Sequence, residues 1–426
     1  TLLALYLAAM KTGIVAVPMS TLLREEALAG LLGDAGVTAV VTVAQLDLPG
    51  AAVLGLDEFE LLAAESPASP PAAPNLPDDH PLTILYSSGT TGEPKGIVHT
   101  HRIREAYATG FASSFRIGTD SVVMHSGSLA FNGAFVTLLP ALYTGCTYVL
   151  LPAFEAHVVL AALAQERVTH TMLVPTQIVA LLDHAGFGED SLPALECVLS
   201  LGAPLLLEHK HELMRRLPRR LYELYGLTEG FVTILDRDDV ARKPGSVGMP
   251  PPLYELRIEG DDGRELPPGE VGEIVGRGPI TMPGYHGRPD LTAEALVDGW
   301  LRSGDLGYVD DDGFLYLVDR KKDLVISGGV NVYPRDIEEV AVRHPDVVDV
   351  AVFGVPDEHW GESPIAAVRL RGGSGLGADE LRTWINENVP ARYQRVREVV
   401  VLDEFPQSAA GKTLRRVIRD DYLEHA

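Results

Sequence analysis

Apolar positions along this chain fall into short runs separated by polar, Gly- or Pro-marked breaks, and the runs alternate between two periods. Residues 1–10 read as a helix, 14–18 as a buried strand, 24–33 as a helix and 38–43 as another strand. That alternation predicts a parallel α/β layer. Residues 65–81, rich in Pro, Ala and Asp, read as a connector. After a β-rich run at 83–86 the alternation resumes, with a helix at 102–111 and a strand at 121–125. A helix opens at 128–135 and runs toward 142, followed by a strand at 148–151, a helix at 158–165, a strand at 169–174 and a helix at 175–183. This second series is consistent with another doubly wound half. From Pro244 onward Gly and Pro become frequent and the strands shorten, to 254–258, 272–276 and 314–318, which predicts a β-rich subdomain. The charge run Asp319-Arg-Lys-Lys-Asp323 marks the next boundary, and 324–426 read as strand, helix, strand, strand, helix, strand and helix. The expected fold class is α/β: a large N-terminal domain of doubly wound layers plus a β-rich subdomain over 1–319, and a small α+β domain over 324–426.

At 426 residues the chain is too long for one ordinary core, in keeping with that division. Its 35 basic and 59 acidic residues give a net charge of −24 with no basic stripe, which argues against nucleic acid or an anionic membrane as partner. Any polyphosphate site must therefore be built from local donors and a metal ion. No uninterrupted apolar run of about 18 residues occurs, so no membrane span is expected. Cys146 and Cys197 both sit among apolar neighbours and read as core residues, which suits a reducing cytoplasm. The N-terminal run lacks a basic flank and leads straight into a strand, so it does not read as a signal peptide.

The chemistry concentrates first in Leu82-Thr-Ile-Leu-Tyr-Ser-Ser-Gly-Thr-Thr-Gly-Glu-Pro-Lys-Gly96. Gly89, Gly92 and Gly96 allow tight turns and leave backbone N–H groups uncovered. Ser87, Ser88, Thr90 and Thr91 add hydroxyl donors, and Lys95 adds a positive charge. These are the parts of a polyphosphate cradle. The loop is not a Walker A motif, because Pro94 precedes the lysine and no Ser or Thr follows it. Its ordered decapeptide resembles the phosphate loop of the adenylate-forming superfamily, which includes acyl-CoA synthetases, aryl-acid ligases, nonribosomal-peptide adenylation domains and firefly luciferase. The segment Leu7 to Pro18 resembles an early motif of the same superfamily that lies well inside complete members, so an N-terminal portion is expected to be absent here.

Further motifs follow in the superfamily's order. Ser200-Leu-Gly-Ala-Pro204 ends an apolar strand; it reads locally as a β-turn, and the resemblance places adenine against Gly202, Ala203 and Pro204. Leu221-Tyr-Glu-Leu-Tyr-Gly-Leu-Thr-Glu-Gly230 brings Tyr225, Gly226, Thr228 and Glu229 to one rim. The resemblance assigns Thr228 to the α-phosphate and Glu229 to Mg²⁺, a hard cation that binds carboxylate and phosphate oxygens and keeps several waters. Trp300-Leu-Arg-Ser-Gly-Asp-Leu-Gly-Tyr308 places Asp305 in a turn after a short strand, where a carboxylate can accept from both ribose hydroxyls. Arg302 and Arg320 flank it in the superfamily's pattern.

The run Asp319-Arg-Lys-Lys-Asp-Leu-Val-Ile-Ser-Gly-Gly resembles the superfamily's hinge, 320–323, with Lys322 at the hinge position and Gly328 and Gly329 beside the pantetheine channel of CoA. As a charge run, it also reads as a solvated face. Pro334 then begins a helix, with Asp336 and Glu338 near the positive end of its dipole. Near the end, Phe405-Pro-Gln-Ser-Ala-Ala-Gly-Lys-Thr-Leu-Arg-Arg416 resembles the last motif, whose catalytic lysine falls at Lys412. A cation there addresses the core difficulty of adenylation, the meeting of two anions.

By this resemblance the chain is an AMP-forming acid–CoA ligase using ATP, Mg²⁺ and CoA, with the small domain rotating between the two steps. The acid is less determined. Phe131, Asn132, Phe135 and Leu227 are the candidate acyl-pocket residues, each of which also reads as core. Amino-acid-activating relatives place an aspartate near Asn132, so an amino acid is disfavoured. A fatty or other apolar acid is expected, with an aryl acid as the alternative. Transfer to a carrier protein in place of CoA, and a non-catalytic nucleotide-binding protein, are the competing functional readings.

Overall fold

Helix Leu2–Thr12 opens the chain and ends on Gly13, whose left-handed backbone (φ 76°) closes the last turn by donating its N–H to Ala9. The computed structural model describes residues 1–425 apart from 22, 44, 45, 47, 49, 68, 70, 71, 73, 88–93 and 408–412. Two compact units are present: Thr1–Ala153 with Leu227–Phe231 and Arg277–Leu301, and Phe154–Gly226 with Val232–Gly276 and Arg302–Ala426.

In the first unit the expected strand at 14–18 is not formed. Ala16 alone makes a parallel bridge to Thr83, and Ile14 is 64% exposed. Gly13 ends the helix just before the segment and Pro18 supplies no N–H, so the apolar run has room for a single bridge. Strands Ala39–Thr42 and Ala52–Gly55 pair in parallel, followed by helix Leu56–Glu65; the second strand and this helix were not anticipated. Strand Pro81–Ser87 pairs antiparallel with Lys95–Thr100, register Tyr86 to Gly96. Thr100 caps helix His101–Phe115 by accepting the Ile103 N–H at 3.2 Å. That helix buries Ile103, Arg104, Tyr107, Phe111 and Phe115, a 3–4 spacing that includes one charge. Strands Val122–Ser126 and Thr147–Leu151 are parallel and joined through helix Asn132–Thr144, a βαβ unit.

In the second unit, strands His170–Leu173, Cys197–Leu201 and Leu221–Gly226 run parallel, and Val232–Leu235 returns antiparallel to the last. Helices Pro175–Leu182 and Leu207–Arg216 lie between successive strands, the doubly wound grammar read in the sequence. A β-rich sheet follows, with Trp300–Val309 and Leu315–Arg320 as an antiparallel pair. Asp305 thus lies inside a ten-residue strand, opposite Arg320, and not in a turn. Gly304 and Gly307 gave the segment its turn-like look, and the register does shift between Leu306 and Gly307.

The last hundred residues form their own sheet. Hairpin Val325–Ser327 and Val330–Val332 leads into helix Pro334–Ala341, strands Val347–Asp357 and Gly361–Leu370, helix Ala378–Asn388, strand Glu398–Val401 and helix Arg415–His425. The expected order holds except that the first strand is a two-strand hairpin. Gly328 and Gly329 form its turn with φ of 60° and 79°, the conformation that tight hairpins favour and side chains avoid. Val325, Val332, Ile337, Val352, Val368, Leu381 and Ile385 fill the core beneath one face.

Candidate active site

In the first unit strand Lys95–Thr100 sets the geometry. Lys95 and His99 lie on the same face of Lys95–Thr100, two residues either side of the fully buried Ile97. Ile97 bridges antiparallel to Tyr285, and the His286 N–H donates to the Gly96 carbonyl at 2.7 Å. The Lys95 ammonium consequently sits 5.1 Å from the centre of the Tyr285 ring. The phenol of Tyr285 donates to Glu229 Oε1 at 2.9 Å, and both burial and that carboxylate push it above the usual tyrosine value. One ring therefore links the cation and the carboxylate that the sequence put forward separately.

The Thr228–Glu229 turn is held from both sides. His99 Nε2 meets the Thr228 carbonyl at 2.7 Å, and the Glu229 carbonyl accepts the Met282 N–H at 2.8 Å. Gly230 follows at φ 125°, where a Cβ would stand 2.1 Å from the Ile280 oxygen, so only glycine fits. Burial, reinforced by the Arg104 charge, holds His99 well below the ordinary histidine value, so it bonds Thr228 as a neutral imidazole.

Arg104, like His99 and Tyr285, is a residue that sequence reasoning missed. It is 3% exposed, its guanidinium carbon lies 4.0 Å from the centre of the Phe135 ring, and Nη1 donates to Asn132 Oδ1 at 2.9 Å. Nη2 donates to Thr83 Oγ1 at 3.0 Å, and Asn132 Nδ2 donates to the Tyr107 hydroxyl at 2.9 Å. Asn132 is thus fixed at the start of its helix. Phe135 is fully buried beneath the guanidinium, while Phe131, Asn132 and Leu227 are only partly buried. The signal was present: Arg104, Tyr107 and Phe111 stand at i, i+3 and i+7, so a charge occupies a core position.

In the second unit the pairing of Leu201 with Leu224 sets the Gly202–Ala203–Pro204 turn beside Tyr225 and Gly226, at the carboxyl ends of adjacent parallel strands. Open α/β sheets bind ligands at that end. The Tyr225 hydroxyl donates to Asp305 Oδ2 at 2.8 Å, and Arg320 Nε lies 3.2 Å from Asp305 Oδ1. Burial and the Asp305 charge raise the Tyr225 phenol well above its usual value, which keeps it a donor. Arg302 does not join this group; it pairs with Glu259 Oε2 at 3.0 Å and Glu273 Oε2 at 2.6 Å and ties adjacent strands together.

Lys322 lies in the turn after strand Leu315–Arg320, its ammonium lowered by burial against the opposing pull of Asp323. Just before it, Asp319 accepts the Arg335 N–H at 3.1 Å and lies 3.8 Å from Arg415 Nη1. Arg415 also donates to Glu338 Oε1 at 2.6 Å, so Glu338 serves this guanidinium as well as its own helix. A Cβ on Gly328 would meet the Trp360 ring at 2.8 Å, whereas one on Gly329 would meet nothing within 4 Å. Ser88, Gly89, Thr90, Thr91, Gly92 and Lys412 lie outside the described residues, and Ser87 ends its strand.

Comparison with known proteins identifies the family. The sequence model of the AMP-binding enzyme family matches residues 1–286, and that of the AMP-binding enzyme C-terminal domain matches residues 336–412. The chain belongs to the AMP-binding enzyme family. It is 36% identical over 419 residues to a feruloyl-CoA synthase from an Amycolatopsis species, covering 96% of this chain and 84% of that one. It is 33% identical over 436 residues to the long-chain-fatty-acid–CoA ligase FadD13 of Mycobacterium tuberculosis, covering 98% and 85%. The ATP-bound crystal structure of MatB from Rhodopseudomonas palustris superposes with a TM-score of 0.90 at 29% identity, covering 99% and 86%. Among the described residues, no helix is long and apolar enough to cross a membrane.

Proposed function

We propose that this chain is an AMP-forming acid–CoA ligase. A substrate carboxylate oxygen attacks the α-phosphorus of ATP and pyrophosphate leaves. The thiol of CoA, giving up its proton, then attacks the acyl carbon of the mixed anhydride and AMP leaves. The observation that carries the reading is the Tyr285 ring between Lys95 and Glu229, a fixed cation and a fixed carboxylate on one scaffold. Such a pair suits a polyphosphate bound with a divalent cation, the carboxylate facing the metal and the ammonium facing phosphate. Glu229 would hold Mg²⁺ together with phosphate oxygens; one carboxylate suffices for an ion that keeps most of its waters.

In this reading Lys95 and the loop of Ser87, Ser88, Gly89, Thr90, Thr91 and Gly92 bind the phosphates, and Thr228 the α-phosphate. Gly202, Ala203, Pro204, Tyr225 and Gly226 receive adenine, and Asp305, oriented by Tyr225 and Arg320, receives the ribose hydroxyls. Lys412 neutralises charge at the reacting centre. Lys322 is the hinge within 320–323, on which 324–426 turn against 1–319, and Gly328 and Gly329 flank the CoA channel. Phe131, Asn132, Phe135 and Leu227 surround an acid with an apolar body, aliphatic or aryl. A cytoplasmic setting belongs to the same reading, which rests on ATP and a thiol co-substrate.

The test is pyrophosphate release with ATP and Mg²⁺ over a panel of fatty and aryl acids, with and without CoA and with a phosphopantetheinylated carrier protein. Acid-dependent release abolished by Lys412→Ala, with turnover that needs CoA, is expected. ATP binding without release for any acid would favour a nucleotide-binding protein, and turnover with the carrier protein alone would reassign the acceptor.

A further inference from the structure

Arg104 is a buried cation without a counter-ion among the described residues. No Asp or Glu among the described residues lies within salt-bridge distance of it, although it is 3% exposed. The other deeply placed cations of the chain are paired: Lys210 with Glu223, and Arg415 with Glu338 and Asp323. The two phenols nearest Arg104 do not neutralise it. Burial pushes the Tyr6 and Tyr107 phenols above their usual value and so keeps them protonated, Tyr6 spends its hydroxyl on the Leu129 carbonyl at 3.0 Å, and Tyr107 accepts from Asn132. The faces of Phe135 and Tyr107, at 4.0 and 5.0 Å, give the guanidinium partial support only.

Its hydrogen bonding is also incomplete. A guanidinium carries five N–H donors. Two are used, on Asn132 and Thr83, and Nε has no partner. A buried charge left unpaired is among the most costly features a fold can keep. A methionine in its place would pack against Phe135 without that cost. The position is therefore explained by something that arrives with negative charge, and Arg104 already touches Asn132, a residue we assign to the acid pocket.

We infer that Arg104 is a specificity-determining residue whose ligand is a second carboxylate on the acid substrate, remote from the carboxylate that is activated. This narrows the acid proposed above to an apolar body bearing a further anionic group, and it rests on that reading for the reaction but not for the binding. Asn132, locked by Arg104 and Tyr107, then serves to orient the guanidinium and to reject an ammonium group in the same place.

Matched acids test the assignment: octanoic against suberic acid, and phenylpropionic against 4-carboxyphenylpropionic acid, each with the parent chain, Arg104→Met and Arg104→Lys. Two readouts are taken, kcat/KM for pyrophosphate release and the rise in melting temperature on adding the acid alone. The parent is expected to favour the diacid of at least one pair in both readouts. Arg104→Met should lower that preference about 10- to 100-fold, the worth of a charge-assisted hydrogen bond, with Arg104→Lys in between. A parent that prefers the monoacids, or an Arg104→Met variant that loses both members of each pair equally, overturns the inference. Absence of pyrophosphate release with every acid, alongside diacid binding that needs Arg104, would instead sink the ligase reading and leave this one standing.

Discussion

The hydroxyl of Tyr225 donates to Oδ2 of Asp305 at 2.8 Å while Arg320 holds Oδ1 at 3.2 Å, so the carboxylate is oriented before any nucleotide arrives. A hydrogen bond to a charged group contributes about 1.5–3 kcal/mol. Tyr225→Phe should lower kcat/KM for ATP roughly 10-fold or more, read from pyrophosphate release at varied ATP. An unchanged value would remove Tyr225 from the proposed nucleotide site.

Glu229 depends on Tyr285 in a comparable way. Groups that orient a metal ligand commonly change metal affinity about 10- to 100-fold. Tyr285→Phe should raise the Mg²⁺ concentration for half-maximal activity roughly 10-fold while leaving the fold intact by circular dichroism. A Mg²⁺ titration superimposable on that of the parent would contradict the role given to Glu229.

The Lys210–Glu223 pair is buried, at 1% and 2% exposure, and Lys210 also donates to the Pro244 and Ser246 carbonyls at 3.1 and 3.2 Å. Removing one member strands the other. Lys210→Met should cost about 3–5 kcal/mol of stability, and Lys210→Met with Glu223→Leu should recover much of it. Denaturant unfolding of the three proteins decides this; a double variant no better than the single one would show that the carbonyl contacts matter more than the charge.

Asp319 sets a pH dependence of a defined sign. Its carboxyl is held up at about 6, chiefly by burial, with Arg415 pulling the other way. A carboxyl raised in the native state binds a proton there more tightly than in the unfolded chain. Stability from this group is therefore full below the unfolded value near 4 and falls as pH rises to about 6. The loss should be about 1–3 kcal/mol. Asp319→Asn should flatten the stability profile over that window, which urea unfolding between pH 4 and 7 would show. A slope unchanged in Asp319→Asn would mean that other groups carry it.

Much of this was legible in the sequence because the relevant signals are local. The Gly202 segment, the Thr228–Glu229 turn and the Pro334 helix start are each written in a few consecutive residues whose backbone needs restrict the choice. What escaped notice depends on pairing across long separations. Asp305 read as a turn residue because glycines flank it, and only its pairing with Arg320 makes it part of a strand. The run at 14–18 read as a strand because apolar alternation says nothing of whether a neighbour offers more than one bridge. Arg104 and Tyr285 are ordinary residues in their own segments and gain meaning from Asn132 and Glu229, 28 and 56 positions away.

The network of Thr83, Arg104, Asn132 and Tyr107 also bears on how such an enzyme changes over generations. Each member satisfies a neighbour, so replacing one leaves a buried donor or acceptor stranded in the next. Single substitutions at these positions should be poor starting points for a new acid preference, even when the final combination is a good one. A lineage moving to a different acid would have to pass through paired changes at 104 and 132, or first acquire a stabilising change elsewhere that tolerates the intermediate. The same guanidinium that would confer selectivity therefore makes that selectivity slow to drift.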